Sequence, residues 1–307
     1  MTNRIDTAHK RNRSGPPGPL FICYDNLYRC IGEGVNVRFV LRMLALALPL
    51  AVVASGGALV ALIVRAAIGP PPDPTPLPPT ILAPRGVLPS GNVVFQEWVR
   101  YRDEGYRMVG CGFLLALEDG RIVGLTAAHN AMPGNPSHPL EQIQLRAQPS
   151  GYTLDFDMLY DPPGRPRDGH DLTVDYLLLH PNGPVDPAYV LQPDPRGGPL
   201  PGERVLLYKC LGGNGGGQST LSGTVQLASD QAVWVLMDEP FSPMHWSGSG
   251  SPLVSQHTGQ VVGMLIAGTL RGRWMLLGMH PVGSLVQKAE ASVSPLKLEN
   301  YGLPPDR

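Results

Sequence analysis

From about Val93 onward the sequence predicts an all-β domain, a barrel or a sandwich, preceded by one membrane-spanning helix. Three observations carry that reading. Over roughly 200 residues, short runs rich in β-branched, aromatic and aliphatic side chains alternate with clusters of Gly, Pro, Asn and Asp. Met43 to Val64 contains no charged residue and is bracketed by Arg42 and Arg65. Between these regions, Gly69 to Gly91 is dense in proline, which fixes φ and lacks an N–H donor.

The first 42 residues carry Arg4, Lys10, Arg11, Arg13, Arg29, Arg38 and Arg42 against Asp6, Asp25 and Glu33, a net of +4 in a chain whose total is -1. Cytoplasmic flanks of membrane helices are enriched in Lys and Arg, so this arm is expected inside and the C-terminal part outside. The 22 residues of 43–64, at about 1.5 Å rise each, suffice for a hydrocarbon layer of roughly 30 Å. A cleaved signal peptide fits less well, because its apolar run is shorter and starts nearer the beginning. A buried soluble helix would show a polar face, which this segment lacks. Residues 65–91 are expected to form a stiff polyproline spacer.

Within the β region the expected strands are Tyr106 to Leu117, Ile122 to Thr126, Val174 to Leu179, Arg204 to Tyr208, Ala232 to Met237, Val261 to Ala267 and Trp274 to Met279. Glu118-Asp119-Gly120 joins the first two as a hairpin. Val282 to Ala289 is expected to be a short helix, and 291–307 a tail. The glycine-rich run Leu211 to Gly217 is not followed by Lys-Ser/Thr, so it reads as a surface loop rather than a phosphate cradle.

Charged residues are 16% of the chain, and no basic excess points to a nucleic-acid partner. The four cysteines, Cys23, Cys30, Cys111 and Cys210, show no zinc-binding spacing. Cys111 and Cys210 are expected as buried thiols, with a bridge between them as the alternative. His170 beside Asp168 and Asp171 reads as a solvated polar loop; no metal and no cofactor are expected. The oligomeric state is left open.

Two segments carry chemistry. Leu125-Thr126-Ala127-Ala128-His129 ends a strand with an imidazole directly after two small residues, which lets the ring lie close to another part of the chain. Ser247-Gly248-Ser249-Gly250-Ser251-Pro252 sets a hydroxyl between glycines before an apolar strand. Glycine can take the positive-φ turn that gathers backbone N–H groups around that hydroxyl. Serine hydrolysis needs such a hydroxyl, an imidazole to activate it, a carboxylate to orient the imidazole, and N–H donors for the developing oxyanion.

Together these segments resemble the chymotrypsin-like serine proteases, from about Val93 to Leu285. The TAAH motif stands at Thr126 to His129, and the G-x-S-G-G/S-P motif is present except that Ser247 replaces its first Gly. The resemblance implies two six-stranded antiparallel β-barrels within 92–290 and a protein or peptide substrate. It also implies a triad with Ser249 as nucleophile, His129 as general base and Asp175 as orienter. Asp175 opens a Tyr-Leu-Leu-Leu run; Asp171 is the alternative, but would leave Asp175 inside the strand entering the core, where an unpaired carboxylate costs several kcal/mol. The oxyanion hole is expected from the backbone of Ser247, Gly248 and Ser249. The substrate pocket is expected from Pro243 at its floor, with Ile266, Ala267, Gly268 and Gly278 as apolar walls. Gly248 and Asn130 replace the Asp before the nucleophile and the Cys after the catalytic His of digestive relatives, which places the chain nearer the HtrA-like and viral branches. A catalytically silent peptide-binding domain and an esterase are the competing readings.

Overall fold

The computed structural model describes residues 76–167, 171–211, 217–240, 248–292 and 294–302. The expected membrane span and the arm before it lie outside these residues. Among the described residues no helix is long and apolar enough to cross a membrane.

The architecture is all-β, with two barrel-like sheets following one another in the chain. The N-terminal sheet holds β1 (Val94–Tyr101), β2 (Arg107–Ala116), β3 (Ile122–Thr126), β4 (Leu140–Arg146), β5 (Thr153–Phe156), β6 (Met158–Asp161), β7 (Leu177–His180) and β8 (Val190–Leu191). A closed six-stranded barrel follows, made of β9 (Arg204–Lys209), β10 (Ser219–Ala228), β11 (Val233–Pro240), β12 (Pro252–Ser255), β13 (Val261–Arg271) and β14 (Trp274–Pro281). After it come helix α1 (Val282–Ala291) and strand β15 (Ser294–Lys297).

The expectation of two six-stranded barrels needs one correction. The N-terminal sheet has nine strands in the order β15-β6-β7-β3-β2-β1-β4-β5, with β8 pairing in parallel to β2. The segment read as a tail supplies the extra edge strand: Ser294 to Lys297 pairs antiparallel with β6 and covers an edge that would otherwise present unpaired backbone groups.

The hairpin β2–β3 forms where the sequence places it. Gly120 adopts φ +83°, and the Leu117 N–H donates to the Arg121 carbonyl at 2.8 Å. The helix also forms, two residues longer than expected. Only half of the Val174 to Leu179 strand materialises. Leu172–Val174 is a 3-10 turn capped by the Asp171 side chain, and β7 begins at Leu177, leaving Asp175 in the corner between them.

The described part of the proline-rich stretch is bonded to the C-terminal barrel. The Leu77 N–H donates to Gln226, Thr80 bridges to Glu203, the Arg85 N–H donates to the His257 carbonyl, and the Tyr208 hydroxyl donates to the Pro89 carbonyl. Proline spends no N–H here, so side chains and strand ends of the barrel provide the anchoring groups.

One apolar cluster joins the two halves. Phe113, Leu125 and Ala127 from the N-terminal sheet pack with Tyr208, Val254, Met264 and Ile266 from the barrel, all of them buried. The expected buried thiols are corrected by the same interface: Cys111 in β2 and Cys210 just after β9 form a disulfide, with Cα atoms 5.7 Å apart across a sequence separation of 99 residues. Closing a loop of that length removes about 4.7 kcal/mol of unfolded-state entropy in the chain-entropy account.

Candidate active site

His129 sits in the turn that leaves β3, where the Asn130 N–H donates to the Ala127 carbonyl at 3.1 Å. Ala127 and Ala128 are fully buried, and their small side chains let the turn press against the 3-10 corner. That corner delivers Asp175. Its Oδ2 lies 2.8 Å from His129 Nδ1, and its Oδ1 accepts the His129 backbone N–H at 3.0 Å. The Arg167 N–H reaches the same Oδ2 at 3.3 Å. The Asp175 side chain is completely buried, whereas that of His129 is 32% exposed. A buried carboxylate on Nδ1 fixes the tautomer and leaves Nε2 as the basic nitrogen. Asp171, the alternative orienter, faces solvent and spends its carboxylate on Thr173, whose N–H and hydroxyl donate to Asp171 Oδ1 at 2.9 and 2.7 Å.

Ser249 occupies a tight turn ahead of β12. The Ser251 N–H donates to the Gly248 carbonyl at 2.9 Å, and Gly250 takes φ +87°, the pattern of a type II turn with Ser249 as its first central residue. No other residue type fits at 250, for a Cβ there would also come 1.9 Å from the Cys111 carbonyl oxygen. The Ser249 carbonyl accepts two hydrogen bonds, from the Cys111 N–H at 2.9 Å and from Asn130 Nδ2 at 3.0 Å. Asn130 follows His129 directly, so one residue ties the histidine turn to the serine turn. Sequence reasoning noted Asn130 only as the absence of a cysteine.

Of the expected oxyanion residues, Gly248 and Ser249 lie in this turn, and Ser247 lies outside the described residues, as does Pro243 of the expected pocket floor. Of the expected walls, Ile266 is buried, Ala267 is half-buried and Gly268 exposed. Gly278 pairs with Ala267 across β13 and β14. A Cβ at Gly278 would come 2.9 Å from Leu172 and 3.0 Å from Trp234. Those two side chains therefore crowd the wall, and neither was singled out in the sequence. His280 is buried edge-on to Tyr176, with its Nε2 3.1 Å from the Ser284 hydroxyl. Burial, aided by Lys288, pushes it down to about 3, so its ring is neutral.

With this geometry in place, the chain is similar to several solved proteases and peptidases. One is the serine endoprotease from Yersinia pestis, 17% identical, covering 65% of this chain and 62% of that one, with a TM-score of 0.46. Another is the HtrA-type protease AlgW with a decapeptide, 14% identical, covering 66% and 64%, with a TM-score of 0.46. A third is kallikrein-related peptidase 10, 17% identical, covering 67% and 96%, with a TM-score of 0.48. The chain thus spans less than two thirds of the length of the first two. No family model matches the sequence, and no curated protein matches it.

Proposed function

We propose that residues 92–290 are a serine endopeptidase acting through Ser249, His129 and Asp175. The observation that carries the reading is the capture of a fully buried Asp175 by both the ring and the backbone N–H of His129. Burying a carboxylate for structure alone is unfavourable unless it is paired; here the partner is an imidazole left basic on its open side. In this scheme His129 Nε2 takes the Ser249 proton as the hydroxyl attacks the scissile carbonyl, then returns it to the leaving amine. Asp175 stabilises the imidazolium between those steps. Water repeats the cycle on the acyl-enzyme. The Ser247–Ser249 backbone supplies oxyanion donors, each such donor being worth about 10²–10³ in rate.

A pocket walled by Ile266, Ala267, Gly268 and Gly278 over Pro243 favours small or medium apolar side chains, and the crowding of Gly278 by Leu172 and Trp234 supports that preference. Cleavage of a peptide library after Lys or Arg would contradict it. We further propose that 43–64 anchors the domain on the extracytoplasmic side. The Cys111–Cys210 disulfide accords with an oxidising compartment. Alkaline carbonate should leave the full chain in the membrane pellet and release a chain lacking 43–64.

A fluorophosphonate probe on the full chain tests the activity. Labelling that vanishes in Ser249→Ala and His129→Ala is expected. A folded wild type that never labels would favour a silent peptide-binding domain instead.

A further inference from the structure

Glu97 is fully buried in the middle of β1, beside a bulge between Glu97 and Trp98. The catalytic scheme above does not use it. Its Oε2 nevertheless lies 2.5 Å from Thr126 Oγ1 and accepts from Asn130 Nδ2 at 2.9 Å. Thr126 Oγ1 also lies 2.9 Å from the Cys111 carbonyl oxygen. A hydroxyl has a single proton, so it cannot donate to both a carboxylate and a carbonyl. The arrangement closes when Glu97 carries a proton: Glu97 donates to Thr126, and Thr126 donates to Cys111. Asn130 then gives one amide proton to Glu97 and the other to the Ser249 carbonyl. Space for this is reserved at Gly110, which pairs with Glu97 across the strands, because a Cβ there would come 2.1 Å from Asn130 Nδ2.

We propose that Glu97, as a neutral carboxyl, is a positioning residue for the nucleophile, holding Asn130 and Thr126 so that their contacts fix the Ser249 turn. The proposal rests on the reading of Ser249 as nucleophile. Supporting it, burial pushes Glu97 up to about 8, against the lowering effect of Thr126 and Asn130. No cation is set against it by the strands on either side: β4 places Leu145 opposite and β2 places Gly110. The ionisable groups that feel its charge are Tyr101 on its own strand, with Arg107 over that ring and Glu104 acting on the same phenol, and Tyr301 from the C-terminal turn, on which Asp175 also acts. Both phenols are pushed above their usual value by burial. Ionisation of Glu97 draws the single Thr126 proton onto the carboxylate, takes it from the Cys111 carbonyl and disturbs the serine turn.

The test is the rate of fluorophosphonate labelling of the full chain between about pH 6 and pH 10, since a positioning carboxyl leaves its mark in a pH profile. Wild-type labelling is expected to fall on the alkaline side of about pH 8. Glu97→Gln, which cannot ionise, should lose that alkaline limb. Asn130→Ala should label roughly 10- to 100-fold more slowly at every pH, the scale of a misplaced reacting group. A Glu97→Gln enzyme that keeps the wild-type alkaline limb, or an Asn130→Ala enzyme that labels at the wild-type rate, overturns the proposal. Should Glu97→Gln not fold, the wild-type limb and Asn130→Ala decide by the same criteria. A wild type that does not label at all overturns the nucleophile assignment first, and is recognised without any variant.

Discussion

Among the described residues each half of the β domain buries one glutamate, and the two are handled in opposite ways. In the C-terminal barrel, Glu203 faces Arg196, whose Nη2 and Nη1 lie 2.9 and 3.1 Å from its two oxygens, while the Leu200 N–H donates at 2.9 Å and Ser255 adds a further bond. Asp194 shares the same guanidinium at 2.7 and 2.9 Å. Burial pushes Glu203 up, but these partners outweigh it and hold the group below its ordinary value. Glu97 in the N-terminal sheet has only Thr126 and Asn130, and burial prevails. The difference teaches where function is placed. The barrel neutralises its buried charge with a dedicated cation beneath a structural loop, whereas the N-terminal sheet leaves its carboxyl neutral directly behind the serine turn.

The largest expected effect concerns another buried carboxylate, Asp175. Asp175→Asn should lower turnover by about 10⁴, because the imidazole loses its tautomer control. Asp171→Asn keeps an oxygen that can accept from Thr173 and should leave both stability and turnover nearly intact. Steady-state kinetics on both variants checks the pair; the reverse ranking would move the orienter to Asp171.

The glutamates themselves give the next prediction. Glu97 binds its proton more tightly folded than unfolded, so its contribution to stability is complete below pH 4.5 and is lost as pH rises to about 8, on the order of 5 kcal/mol. Glu203 has a lowered value, so its contribution is present above its unfolded value and is lost as acid protonates it in the fold. Denaturant melts across pH should therefore show Glu97→Gln flattening the neutral-to-alkaline slope and Glu203→Gln flattening the acid slope. Equal slopes in all three proteins would erase the distinction.

A smaller effect separates the halves by function. Arg196→Ala leaves Glu203 and Asp194 without their cation and should destabilise by about 3–5 kcal/mol. The rate per labelled site should stay near wild type in whatever fraction remains folded, since Arg196 belongs to the barrel's structural cluster. A selective loss of rate without loss of stability would contradict that division.

The legible part of the sequence was the part written in periodicity and motif. β3 runs from Ile122 to Thr126 as expected because turn signals bound it on both sides, and the hairpin before it is set by Gly120. β1 escaped notice because Glu97 and Gln96 interrupt its apolar pattern; a charged residue in a strand reads as solvent-facing, yet Glu97 points inward. β12 is only four residues, all buried, and is the short apolar strand expected after the Gly/Ser run. The site showed the same split. His129, Asp175 and Ser249 could be named from their flanking residues, whereas the Asn130 contact to Ser249 spans 119 positions and the Cys111–Cys210 bridge spans 99. Pairings of that kind are created by the apposition of two sheets, which no local pattern encodes.

The proposed chemistry requires a hydroxyl at the barrel to meet an imidazole–carboxylate pair at the N-terminal sheet. A crystal structure of the full chain after reaction with a fluorophosphonate tests it most directly. Phosphorus bonded to Ser249 Oγ is expected, with His129 Nε2 within about 3 Å of that oxygen and Asp175 still on Nδ1. Phosphorus on another residue, or a Ser249 oxygen turned away from the His129 ring, would contradict it.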